Sequence, residues 1–269
     1  MYIKQDVRRG YNAFTSIDVR NGEDTYMDVG LLIMEAGDTY AFEEEDKGVS
    51  WSLMKGKGTA VIDGTSYEIE RENPFDYSGY CLLMSKGSTC EITASEYSEF
   101  YVQKSLNDKT YEAKLYTPEE THTWARGTDG ALDGMMRRDV RTYYDYETRP
   151  DSNMVLGEVV SPGGRWSSYP PHHHPQPEAY FYFFEDKRGF GAGWSSGEVH
   201  ELNHHGLLLV TDDTVHQQTV APGYPCCYTW GIRHLPDNPW EKTRIDDEAH
   251  TWLLEDKPDY WRIPEDLEQ

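Results

Sequence analysis

Short apolar runs, each closed by glycine, proline or a small polar cluster, follow one another along the whole chain. Gly30 to Met34, Thr59 to Ile62, Ser66 to Glu70, Tyr80 to Met84, Val155 to Val160, Ala179 to Phe184, Leu207 to Val210 and Cys226 to Trp230 have the length and composition of strands. The Asp63-Gly64 pair between two of them predicts a tight hairpin, because both residues tolerate the positive φ that such a turn needs. Helical periodicity is weak throughout. Only Pro118 to Trp124 has a helical start, with Thr117 as its cap and Glu120 in the third position. The pattern predicts an all-β protein, not alternating strands and long helices.

The same pattern repeats once, in degenerate form. GLLIMEAGDTYAF in the first half is echoed by LGEVVSPGGRWSSY in the second, and CLLMSKGSTCEIT by LLLVTDDTVHQQT. Two echoes in the same order predict two tandem β-barrels. The expected division is a first barrel over 1–115, a connector over 116–150 and a second barrel over 151–236. An acidic tail over 237–269 follows, with Trp240, Trp252 and Trp261 packed over a barrel or a subunit neighbour.

Charge narrows the partners. With 25 Lys and Arg against 48 Asp and Glu, the net charge is −23 and no basic stripe offsets it. Nucleic acid and anionic membrane surfaces are therefore excluded as partners. The longest aliphatic run, Leu31 to Met34, is far too short to cross a membrane. Cys81, Cys90, Cys226 and Cys227 form no C-x-x-C pair, and the opening MYIKQDVRRG has no apolar stretch, so a cytoplasmic protein with reduced thiols is expected.

The chemistry lies in the second half, since all ten histidines fall at or after His122. P-P-H-H-H-P-Q-P-E puts His172, His174 and Glu178 in an H-x-H-x-x-x-E arrangement. His172 and His174 share strand parity and project to one face, while His173 points away. Pro175 and Pro177 break the run, so Glu178 can return to the side of Tyr180 and Tyr182, opposite Ala179, Phe181 and Phe183. His216 follows a later strand and turn. Three imidazoles and a carboxylate inside a barrel suit one divalent ion, Zn, Mn, Fe or Ni. The Gly-rich Gly189 to Gly193 lacks the βαβ setting of a dinucleotide loop, and Ser167 and Ser168 lack a nucleophile elbow.

W-S-S-Y-P-P-H-x-H (Trp166 to His174), E-x-Y-x-Y (Glu178 to Tyr182), G-F-G (Gly189 to Gly191) and A-P-G-Y (Ala221 to Tyr224) resemble the 5-deoxy-glucuronate isomerases and their sister 5-keto-4-deoxyuronate isomerases. R-E-N-P-F (Arg71 to Phe75) is similar to the metal-free first barrel of that family. The resemblance implies a bicupin fold of two jelly-roll barrels. It also implies a metal held by His172, His174, Glu178 and His216, and aldose–ketose isomerisation of an acidic sugar.

Four places depart from the family pattern. His172-His173-His174-Pro175 stands for H-K-H-D, Arg165 precedes Trp166, Thr214-Val215-His216-Gln217 stands for G-Y-H-P, and Trp230-Gly231-Ile232-Arg233-His234 replaces N-V-M-A-G. Two of these introduce arginine. Arg165 and Arg233 are the expected grips for the substrate anion, with Trp230 and Tyr224 beside them.

In the expected reaction the ion polarises the C1 carbonyl while a hydrogen moves from C2 to C1. Tyr180, Tyr182, His204, His205, Asp212 and Asp213 are the bases to consider, and a direct hydride shift would need none. The substrate expected first is 5-deoxy-glucuronate; the variant to test is sulfoquinovose converted to 6-deoxy-6-sulfofructose. A cupin dioxygenase or a non-catalytic sugar-binding cupin are the readings from other classes. The aromatic tail and exposed strand edges point to a homo-oligomer.

Overall fold

The structure is a computed structural model that describes residues 1–18, 25–211 and 213–264. Asp212, one of the bases considered, lies outside the described residues. The fold is mostly β, with three short 3₁₀ turns as its helical content among the described residues and no helix long and apolar enough to cross a membrane.

Strands from Gly10–Ala13 to Lys114–Tyr116 form one nine-stranded antiparallel system built around the long, bent strand Lys47–Ile62. The second half forms two further sheets. A seven-stranded one has Glu178–Phe184 and Cys226–Arg233 at its centre, and a five-stranded one holds Trp166–His173 and His216–Val220. Two segments cross the expected boundaries. Tyr2–Ile3 pairs with the Leu207–Val210 strand of the second half. The connector supplies two strands, His122–Arg126 and Arg138–Tyr144, to the edge of the seven-stranded sheet.

Each expected strand is present, most of them longer by a few residues. The Asp63-Gly64 hairpin closes Ile62 onto Thr65, with φ of 46° and 83° at the two turn residues. At Pro118–Glu120 the helical start lasts only one 3₁₀ turn. The Glu120 carboxylate accepts from the Thr117 backbone N–H at 3.0 Å, and the chain then extends into His122–Arg126. Nothing apolar on that segment has a core to face, and short helices without packing do not persist.

Three apolar cores explain why so many strands read as unbroken hydrophobic runs. One fills the first half, one the second, and the third lies between them. Ala179, Phe181 and Phe183 enter the central core, while Tyr180, Tyr182 and Phe184 face the interior of the second half. Leu207 and Leu209 alternate in the same way with Leu208 and Val210, and Cys227 with Cys226. A strand buried on both faces needs apolar residues at every position. All four cysteines are free and buried.

The two halves are also joined by a buried ionic cluster. Arg71 donates to both carboxylate oxygens of Glu158 at 3.1 and 2.5 Å, Arg141 donates at 2.7 Å, and the Tyr143 hydroxyl donates at 3.0 Å. Arg71 opens the R-E-N-P-F motif; the carbonyls of Pro74 in it and of Tyr77 two residues beyond it accept further bonds from Arg71 and Arg141.

Candidate metal centre

The four ligand candidates come from both sheets of the second half. His172 and His216 are cross-strand partners in the five-stranded sheet, with ring centroids 4.6 Å apart. Their pairing follows an irregularity in which residues 168–171 bulge out of register, so the parity that aims His172 inward is set by a loop within the strand. His174 lies just beyond that strand, and Glu178 opens the central strand of the other sheet. Ring centroids of His174 and His216 are 5.3 Å apart. The Glu178 Oε2 atom is 3.2 Å from His174 Nε2 and 3.5 Å from His216 Nε2. All four side chains are buried, His216 completely.

The hydrogen bonds behind the rings decide what the cluster can hold. His172 Nδ1 lies 3.2 Å from the Ser168 and Pro170 carbonyls, His174 Nδ1 2.9 Å from that of Gln176, and His216 Nδ1 3.0 Å from that of Thr214. A carbonyl only accepts, so each Nδ1 carries a proton; Nε2 of His172 and His216 is then left with a lone pair, while Nε2 of His174 bonds Glu178 and gains its lone pair when that proton leaves. The ligand atoms of His174, His216 and Glu178 lie within 4.8 Å of one another, with the His172 ring beside His216, and His216 Nε2 is buried without a hydrogen-bond partner. A buried centre of acceptors calls for a cation, and fixed Nδ1–H bonds are the usual support of metal-binding imidazoles. The residues therefore fit a divalent ion.

Burial, and then His216 and Arg244, push His172 down to about 2, so that ring stays neutral. Burial also lowers His216. At His174 burial works the same way, but the bond to Glu178 overcomes it and the pKa is raised.

A cavity of about 340 Å³ opens beside His172, His174 and Glu178. Trp230, Trp240, Trp124 and Tyr228 supply its aromatic wall. Gly157 lets the Trp230 indole lie across its strand, since a Cβ there would sit 2.4 Å from the ring. Trp240 comes from the tail, pinned by the Gln176 side chain donating to Asn238 and by its own backbone N–H on His234 Nδ1. Trp252 and Trp261 are exposed.

The structure gathers only part of the remaining expected set. Tyr180 lines the cavity and donates to Glu178 Oε2 at 2.6 Å. Burial and the Glu178 charge drive its pKa far up, and its proton is committed to the carboxylate. The Tyr182 hydroxyl donates to Gln218 at 2.6 Å, away from the ligands. Asp213 accepts from His173 Nδ1 at 2.6 Å on the outer side of the strand. Trp230 is in the cavity wall; Tyr224 packs on Phe190 instead. Arg165 turns toward Met135, and Arg233 donates to Ser105 of the first half at 2.6 Å. The arginines that do line the cavity, Arg126, Arg138 and Arg244, carried no motif that would single them out.

His204 and His205 lie elsewhere, against Glu99 of the first half. His205 Nε2 is 2.9 Å from Glu99. His204 Nδ1 accepts the Phe184 backbone N–H, so its Nε2 carries the proton and offers no lone pair to a metal.

Residues 1–253 match the family model of the KduI/IolB family. The 5-deoxy-glucuronate isomerase of Geobacillus kaustophilus (strain HTA426) is 24% identical over 246 residues, covering 80% of this chain and 85% of that protein. The crystal structure of an IolB-like protein from Salmonella typhimurium LT2 superposes with a TM-score of 0.84 at 18% identity, over 94% of this chain and 99% of that one. The oxalate decarboxylase of Lactobacillus farciminis, in its formate complex, gives 0.62 at 10% identity, over 93% and 87%. The likenesses to solved structures establish a jelly-roll-like cupin fold.

Proposed function

The chain belongs to the KduI/IolB family, and from that premise we propose that it is a metal-dependent aldose–ketose isomerase for a small anionic sugar of the 5-deoxy-glucuronate type. The observation that carries the reading is the buried centre itself. Three imidazoles have their Nδ1 atoms committed to carbonyls, two of them set their Nε2 atoms within 3.5 Å of Glu178, and the third, His172, stacks beside His216, next to a cavity of sugar size. The named relatives are isomerases, which argues for turnover over mere sugar binding.

His172, His174, His216 and Glu178 would hold the ion, which supplies Lewis acidity toward a sugar carbonyl and its neighbouring hydroxyl. Tyr180 fixes the Glu178 carboxylate by its 2.6 Å bond. The Trp230 indole N–H is buried without an acceptor in the protein and is free to bind a sugar hydroxyl. The aromatic wall keeps water from the reacting carbons. Outside the ligand set, Asp145 is the one carboxylate lining the cavity among the described residues. It lies 3.3 Å from Lys242, and its position in the cavity lining supports it as a candidate to carry a proton between C2 and C1.

We further read the chain as a bicupin with barrels over 1–115 and 151–236 joined by 116–150. The separate cores of the two halves support that division.

The test is NMR of metal-analysed protein with a panel of uronates, deoxyuronates and sulfosugars in D₂O. Conversion of an acidic aldose to its ketose, lost on chelation and restored by one divalent metal, is expected. Oxygen consumption with no isomerisation would overturn the assignment in favour of a dioxygenase.

A further inference from the structure

Arg126 and Arg138 stand directly opposite each other on paired strands. Like charges at facing positions of a strand pair repel. Neither has a carboxylate within ion-pair distance among the described residues. Arg138 donates only to the backbone carbonyls of Met136 and Tyr169, at 2.8 and 3.5 Å, and Arg126 lies over the Trp124 ring. The tail brings a third guanidinium, Arg244, which donates to the Pro170 carbonyl at 2.7 Å and to Asp246. All three line the cavity that holds the metal-binding side chains.

This arrangement is costly as it stands. Burial and the charges of Arg244 and Arg126 all weigh against protonated Arg138. In a chain of net charge −23 with 48 acidic side chains, leaving the partly buried Arg138 without a counter-charge, opposite the exposed Arg126, requires a reason. An anion entering from outside supplies one.

We propose that Arg126, Arg138 and Arg244 form the subsite that grips the terminal oxyanion of the substrate, a carboxylate or a sulfonate. The identity of the ligand as a sugar acid rests on the isomerase reading; the anion site itself does not. Its placement beside the metal centre follows from one local device. The out-of-register segment 168–171 offers the Pro170 carbonyl to both His172 Nδ1 and Arg244, and the Tyr169 carbonyl to Arg138. The same backbone therefore fixes the spacing between a held carbonyl end and a held anionic end of a short molecule. The tail takes part in substrate selection, since Arg244 and Trp240 both come from it.

The experiment is calorimetric titration of metal-free protein with D-glucuronate, sulfoquinovose and neutral D-glucose, for wild type, R126Q and R138Q. Wild type is expected to bind at least one acid tenfold or more tighter than glucose, the stronger of the two identifying the anion. R138Q should lose roughly 10- to 100-fold for that acid and R126Q roughly 5- to 10-fold, with glucose unchanged. Arg126 is on an exposed strand, so R126Q reports even if R138Q fails to fold. If both variants keep the wild-type melting temperature and bind the acids as wild type does, the proposal is overturned. Arginine-dependent binding in a metal-loaded protein that isomerises neither these sugars nor any deoxyuronate of the NMR panel would confirm the subsite and refute the isomerase.

Discussion

Glu158 and Glu178 are both buried carboxylates on central strands of the same sheet, yet they sit in opposite kinds of surroundings. Around Glu158 every neighbour donates: two guanidinia and a tyrosine hydroxyl satisfy both oxygens. Burial alone would raise its pKa, and Arg71 and Arg141 together bring it below the ordinary value. Around Glu178 the Tyr180 hydroxyl and His174 donate to the same oxygen, and His216 turns an unpartnered nitrogen toward it. The first cluster is complete and joins the halves of the molecule. The second keeps an unpartnered buried nitrogen on His216 and, in the reading proposed above, is completed by a cation. Residue types alone do not separate a structural cluster from a functional one; the balance of donors against acceptors does.

The largest effect that would break this comparison is on stability. Glu158→Gln leaves two buried guanidinia facing a neutral amide, at a cost of about 3–5 kcal/mol. Thermal unfolding should then move down by roughly 10 °C. A variant that melts with wild type would mean that the Glu158 cluster is not the brace described here. His216→Ala should behave in the reverse sense. Metal-free, it melts within about 1 kcal/mol of wild type, because it removes an unpartnered acceptor from the centre. Metal in 100-fold excess over its dissociation constant stabilises wild type by about 2.7 kcal/mol. The variant should gain none of this. Scanning calorimetry with and without Zn²⁺ or Mn²⁺ measures both, and equal metal-induced shifts would remove His216 from the ligand set.

The sequence made the second cluster easier to see than the first. H-x-H-x-x-x-E is a local pattern, and strand parity is enough to pair Glu178 with Tyr180, while the bulge before His172 and the break after His173 bring the two histidines to them from the other sheet. The face alternation of 179–184 is equally local, and the structure shows it residue by residue. Glu158 meets Arg71 across 87 positions, a relation that no periodicity reveals. The anion grip failed for the same reason. Arg165 and Arg233 stand next to motif residues in the chain, but Arg165 turns to Met135 and Arg233 reaches back to the first half. Arg126, Arg138 and Arg244 reach the cavity from an edge hairpin and from the tail, elements whose docking depends on tertiary packing. His205 precedes the expected strand, but it serves the contact between halves. Asp213 and Tyr182 share the right loop or the right parity, yet their partners, His173 and Gln218, draw them off the centre.

A smaller effect sharpens the role of Tyr180. Tyr180→Phe removes the hydroxyl that holds Glu178 and should weaken metal affinity by roughly 10- to 100-fold. Tyr182→Phe, on the same strand face but bonded to Gln218, should leave it unchanged. Equal losses in both variants, measured by competition with a chelating dye, would show that the effect comes from core packing and not from orientation of the ligand.

The smallest expected effect concerns Glu99, a third buried carboxylate and one whose partners include a titratable ring. Burial pushes its pKa up, but His205 at 2.9 Å, Tyr97 at 2.7 Å and Lys55 bring it down to about 2. A carboxyl whose folded pKa is depressed contributes stability that is whole above the ordinary carboxylate value near 4.5. That contribution drains away as the pH falls toward 2. His205→Asn removes the strongest partner while keeping a residue that tolerates the positive φ of 59° at this position. The acid limb of unfolding should then begin higher, by roughly half a pH unit, because Glu99 takes up its proton, and its contribution is lost, at a higher pH than in wild type. Metal binding should be unaffected, since Glu99 and His205 lie outside the cavity. Circular dichroism along an acid titration reads the midpoint, and a chelator assay on the same preparation reads the metal. If the midpoint stays and the metal affinity falls, His205 is coupled to the metal centre after all and the separation of the two histidine groups is wrong.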